Sequence, residues 1–246
     1  MNPWLALYVK ELRENQGTFL FLLVGTLALD VYGYVRGVSN GIPGPALALA
    51  FVPYAAVFIL PFVLLHSFAQ EFKGQTHYQL LALPVPRAAV VAAKYLAVLT
   101  AGVAVFALAT GAVHLISLEF TRLTSDKFSQ YQGGDLWLLL GGLYFTSLLL
   151  LTGIATAMAG LKLVVRRFQR VAMTAFLVFS LFLYARVLVP ALAFLGPAFE
   201  HHVEITDGMG SVVRLPNLMP VTLFTALFSL LFVGLGILLF ERFAEA

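Results

Sequence analysis

An all-α membrane protein is what the sequence predicts, with six transmembrane helices, an N-terminal interfacial helix and one short helix in a cytoplasmic loop. Three observations lead there. The 246 residues are 61% hydrophobic and only 11% charged, with a mean hydropathy of +0.93, far outside soluble usage. Six apolar runs each reach the roughly 20 residues needed to cross the hydrocarbon core. The polar stretch QEFKGQTHYQLLALPVPRAAVVAAK, Gln70 to Lys94, is wedged between two of them. No linker-like or low-complexity segment divides the chain, so residues 1–246 are expected to form a single membrane domain. There is no cysteine, which excludes disulfides, thiolate catalysis and cysteine-ligated metals.

The first element is Pro3–Asn15. Lys10, Glu11, Arg13 and Glu14 are interleaved with Trp4, Leu5, Leu7, Tyr8, Val9 and Leu12, an amphipathic pattern rather than that of a cleavable signal peptide. Its aromatics suit the headgroup level, and it is too short to span. The six spans follow at about Gly17–Val38, Ala46–Ala69, Ala88–Leu118, Leu136–Leu161, Val171–Leu195 and Met219–Phe240. The third is long enough to tilt or to project beyond the bilayer. Pro53 and Pro61 should bend the second, since each removes a backbone hydrogen bond. Gly153, Ala157 and Gly160 give the fourth a small-residue face for close helix packing.

Orientation follows from the 15 Lys and Arg residues. One side carries Lys10, Arg13, Lys73, Arg87, Lys94, Lys162, Arg166, Arg167, Arg170 and Arg242, and the other Arg36, Arg122, Lys127, Arg186 and Arg214. The positive-inside rule puts both termini and the Gln70–Arg87 and Lys162–Arg170 loops in the cytoplasm of a multi-pass inner-membrane protein. The basic loop around Arg166 is read as a topology determinant touching anionic headgroups, not as a nucleic-acid site.

Within the Gln70–Lys94 loop, Thr76 and Gln79 fit a capping box, which satisfies free amides at a helix start. His77 to Leu83 then supplies about two turns, with Leu80, Leu81 and Leu83 able to share an apolar face. Pro84 ends the helix, and Pro86 suits the first turn of the next. On the outer side, His201, His202, Glu204 and Asp207 could hold a metal, but they lack the i, i+4 spacing of helical ligands; a solvated loop without metal is expected. Neither H-E-x-x-H nor G-x-S-x-G occurs, and the histidines form no catalytic constellation. The phosphate loop G-x-x-x-x-G-K-[ST] is missing as well, so the chain does not hydrolyse nucleotide alone.

Two charges fall inside spans. Asp30 lies about 12 Å below the end of span one and Arg186 about 14 Å below that of span five. A lone charge at such depth is expensive. Either the two form an intramembrane polar pair across spans one and five, or Asp30 pairs locally with Tyr34 or snorkels while Arg186 reaches the headgroups.

Glu71, Gly74, Thr76, Leu80–Leu81, Pro84, Arg87 and Lys94 resemble the E…G-T…L-L…P…R…K pattern of type-2 ABC transporter permeases. The amphipathic start with Lys10-Glu11-Leu12, the six spans and the long loop before the last span extend the resemblance over nearly the whole chain. One departure is that Gln75 separates Gly74 from Thr76. The resemblance implies that Thr76–Leu83 is a coupling helix docking in a cleft of a separate ATP-binding cassette subunit. Glu71, Lys73, Thr76, His77, Gln79, Leu80, Leu81 and Arg87 would be its contact residues. It further implies a second permease copy or paralogue, with ATP and Mg bound by the partner subunit and no cofactor by this chain. The activity implied is substrate export driven by that subunit's ATP hydrolysis. The alternatives are a permease-like subunit transmitting motion to an extracytoplasmic partner, and an ATP-independent membrane carrier or enzyme.

Overall fold

The fold is set by where each apolar run finds a neighbour. It is seen in a computed structural model that describes residues 3–40, 49–73, 86–124, 133–165, 167–195, 203–206, 212–215 and 219–243. Helix α1 covers Pro3–Glu14 and α2 covers Gln16–Asn40. Only Asn15 separates them, and hydrogen bonds cross it: Asn15 N–H donates to the Glu11 carbonyl at 3.2 Å and Phe19 N–H to the Asn15 carbonyl at 3.0 Å. One buried stripe therefore runs through both helices, from Leu7, Glu11 and Asn15 to Phe19, Leu22, Thr26, Asp30 and Gly33. Its steps of three and four residues are those of a single helix face.

The second span begins with the 3-10 turn η1, Val52–Ala55, and continues as α3, Ala56–Lys73. The break falls at Pro53, one of the two prolines expected to disturb this span. Pro61 sits inside α3 without interrupting it. The third span is α4, Arg87–Thr124; at 38 residues it is about 57 Å long, nearly twice the hydrocarbon core. Helices α5 (Gly133–Val164), α6 (Gln169–Leu195) and α7 (Met219–Phe243) complete the set. Between α5 and α6 the chain turns at Phe168, whose φ of 64° lies in the left-handed region. Among the described residues, six helices are thus long and apolar enough to cross a membrane, at Gln16–Arg36, Leu49–Gln70, Ala88–Ile116, Gly141–Val164, Gln169–Leu195 and Met219–Arg242. These match the six expected runs to within a few residues.

The segment before the last span, expected to be a solvated loop, contains a short antiparallel hairpin. Strand β1 (Val203–Thr206) pairs with β2 (Val212–Leu215), with Val203 opposite Leu215 and Thr206 opposite Val212. Both strands are rich in β-branched residues, Val203, Ile205 and Thr206 in β1 and Val212 and Val213 in β2, which favours the pairing.

Packing is uneven. Helix α5 is the central one, with 61% of its span buried, whereas α6 is only 6% buried. The closest pair is α5 with α7. A Cβ added at Gly153 would lie 3.0 Å from the backbone of Ser229, and one at Gly236 would lie 2.7 Å from the Thr156 carbonyl oxygen. Neither leaves room for a methyl group. Ser229 seals this contact by donating to the Leu149 carbonyl at 2.6 Å. Apolar tails of lipid drive no helix association, so close packing and such cross-helix hydrogen bonds must hold the pair. Two other buried hydroxyls are satisfied along their own helix, Thr152 by the Leu148 carbonyl and Thr156 by that of Thr152. Between η1, α4 and α5 an aromatic cluster forms from Tyr54, Phe106, Tyr144 and Phe145, with centroids 4.9 to 5.8 Å apart.

Candidate functional site

The loop singled out by the sequence has two described legs. Its first leg is the end of α3, where Glu71 and Lys73 form the last turn. Its second is the start of α4, which Arg87 opens. Thr76, His77, Gln79, Leu80 and Leu81 lie between them, outside the described residues. On the first leg, exposed His66 and Gln70 hydrogen-bond one turn apart at 2.8 Å.

What joins the legs is a buried ionic cluster. Lys94 lies on α4, seven residues or about 10 Å beyond Arg87. Its side chain is almost fully buried, as is that of Glu11 on α1. The Lys94 ammonium donates to both carboxylate oxygens of Glu11, at 2.9 and 2.8 Å, and to Ser67 Oγ of α3 at 2.8 Å. Ser67 in turn donates to Glu11 Oε2 at 3.1 Å. The three donors of an ammonium therefore meet three acceptors supplied by two other helices. The face of Phe68 adds a cation–π contact 5.5 Å from the Lys94 nitrogen. Local packing aims the groups: Leu7 of α1 is buried against Val90 and Ala93 of α4, and Tyr8 hydrogen-bonds Thr100 at 2.8 Å. Lys10 bridges Glu14 at 3.1 Å on the exposed side of α1.

The charge distribution assigns Lys94 to the cytoplasmic side without pairing it with Glu11, although the sequence carries a signal for the pair. Lys94 sits in the apolar run AAVVAAKYLAV, where an ammonium needs a partner as surely as Asp30 or Arg186 does. Glu11 falls four residues after Leu7, on the apolar side of the amphipathic helix.

Asp30 and Arg186 are not brought together within one chain. Asp30 is buried on the inward stripe of α2, and its Oδ1 has no hydrogen-bond partner. Arg186 stands exposed on α6, which packs on α5 and α7. The hydroxyl of Tyr54, on the η1 turn that packs against α2, is engaged with Thr110 at 3.0 Å. Of the residues once weighed as metal ligands, Glu204 falls in β1, while His201, His202 and Asp207 lie outside the described residues. Among the described residues no group of three or more His, Asp and Glu side chains could hold a metal ion.

A family model described as an ABC-2 family transporter protein matches residues 16–185, about two thirds of the chain. The chain belongs to the ABC-2 transporter family. The match opens with α2 and ends inside α6, so it takes in the first four spans, most of the fifth and both legs of the polar loop. Both Ser67 and Lys94 fall within the ABC-2 region; Glu11, their partner, lies before it, and α7 beyond it. No curated protein matches the chain. An ABC-2 protein with six such helices is a multi-pass membrane component of a transporter, and the family implies an ATPase partner in general terms.

Proposed function

We propose that this chain is the permease subunit of an ATP-driven exporter, energised by a separate ATP-binding cassette subunit that binds ATP and Mg. The observation that carries the reading is membership of a transporter family by a chain whose sequence has no phosphate loop of its own. The energy then has to arrive through a docking surface. Thr76–Leu83 is that surface, with Glu71, Lys73 and Arg87 flanking it. Both termini and this loop face the cytoplasm of the inner membrane, in keeping with the distribution of Lys and Arg. Two permease copies, or this chain and a paralogue, complete the assembly, and the nearly bare face of α6 is available for such a neighbour. ATP-driven closure of the cassette subunits moves the loops and shifts the spans between inward-facing and outward-facing populations.

The test uses the full chain with its cassette subunit. Wild type should co-purify with an ATPase and alter its rate of hydrolysis after reconstitution. Leu81→Asp puts a charge at the centre of the docking helix; loss of a hot-spot contact of roughly 2 kcal/mol weakens the complex about 30-fold. Membrane insertion should be unchanged. An ATPase that binds the variant as tightly as wild type would remove the docking role from this helix.

A further inference from the structure

We infer that Glu11, Ser67 and Lys94 form a pin that makes α1 move with both legs of the coupling loop, so that the N-terminal helix is a working part of energy transmission. This rests on the coupling role proposed for Thr76–Leu83.

The placement comes first. Ser67 is six residues before the end of α3 and Lys94 seven after the start of α4, so the two lie at matching depths, about 9 and 10 Å along their helices from where the loop leaves and returns. Glu11 touches both. Any displacement of the loop that carries α3 and α4 must either carry α1 along or break hydrogen bonds of 2.8 to 3.1 Å.

The chemistry is the second argument. A buried ion pair is a poor way to gain stability, because desolvation offsets most of the attraction and an apolar pair of similar volume often serves as well. What it supplies is direction. Charge-assisted hydrogen bonds fix the axial and rotational register of the helices that share them, whereas apolar contacts in lipid let helices slide. Apart from its continuation into α2 across Asn15, the other contacts of α1 to the legs are weaker in this respect: Leu7 packs on Val90 and Ala93, and the Tyr8–Thr100 hydrogen bond is exposed. Removing the pin should therefore leave the helices associated but uncoupled in motion.

The absence of native cysteine allows labels to be placed cleanly. Spin labels on exposed Gln70 and Thr174 report the first leg against α6; labels on exposed Arg13 and Thr174 report α1 against α6. Distances are compared between the nucleotide-free and vanadate-trapped permease–ATPase complex. In wild type both pairs should shift on trapping. In the apolar variant Glu11→Leu with Lys94→Met, the leg should still shift while α1 stays in place. In Glu11→Gln, whose one amide oxygen can still accept from Lys94 and Ser67, α1 should again follow. Should the apolar variant not insert, Glu11→Ala with Lys94→Gln asks the same question, since α1 then offers no acceptor to either leg. An α1 shift as large in the unpinned variants as in wild type would overturn the pin. A leg that never shifts in wild type would instead sink the coupling role, and the pin with it.

Discussion

Glu11 and Asp30 sit on the same inward stripe of α1 and α2, and both carboxylates are buried, yet their surroundings differ. Glu11 meets an ammonium and a hydroxyl from two other helices. Asp30 keeps one oxygen with no hydrogen-bond partner among the described residues, and the nearby Tyr54 hydroxyl is engaged with Thr110. The contrast shows how one chain can be closed at one level of the bundle and open at another. Around Glu11 the helices are registered by directional contacts; around Asp30 the same stripe carries a buried oxygen that no described residue meets.

The largest effect should come from breaking the closed side. Lys94→Met leaves Glu11 buried without its cation and should cost about 3–5 kcal/mol, read as a drop in thermal unfolding temperature in detergent. Adding Glu11→Leu should return stability to the native level or above, because both charges are then gone. A double variant no more stable than the single would mean that packing, not charge, carries the joint. The open side should respond in the opposite sense. Asp30→Leu removes an unsatisfied buried group and should raise the stability of the isolated chain by about 1–3 kcal/mol. A fall in the assembled complex, alongside a rise in the isolated chain, would locate the missing partner in a neighbouring subunit. The smallest effect belongs to the exposed flank of α1: Tyr8→Phe loses the hydrogen bond to Thr100 and should cost only about 0.5 kcal/mol.

The six spans were legible because length and hydropathy decide a transmembrane helix with little help from tertiary contacts. The long third span and the disturbance at Pro53 were legible for the same reason: each follows from local chemistry. The hairpin at Val203–Leu215 was not, since two four-residue strands carry a weak signal amid turn-forming residues. For the site, the sequence marks the loop and its flanking charges but not what lies under it. Lys94 counts among the positive charges of the cytoplasmic side, yet its apolar neighbours call for a buried partner. That partner, Glu11, is 83 residues away in sequence, and only tertiary structure could bring it close. Asp30 and Arg186 show the converse. Depth alone made them candidates for a pair, but depth says nothing about which way a side chain faces, and within the chain one points inward and the other stands exposed.

The glycine-tight seam between α5 and α7 also has a consequence for biogenesis. The ribosome makes α5 first, and α6 and the hairpin must follow before α7 emerges to meet it. At roughly 5–20 residues per second, the small-residue face at Gly153 waits several seconds for Ser229 and Gly236 to arrive. During that interval the central helix of the bundle lacks its most intimate neighbour. The seam on α5 can therefore close in the lipid only after α7 has been made, and α7 lies outside the stretch by which the family is recognised.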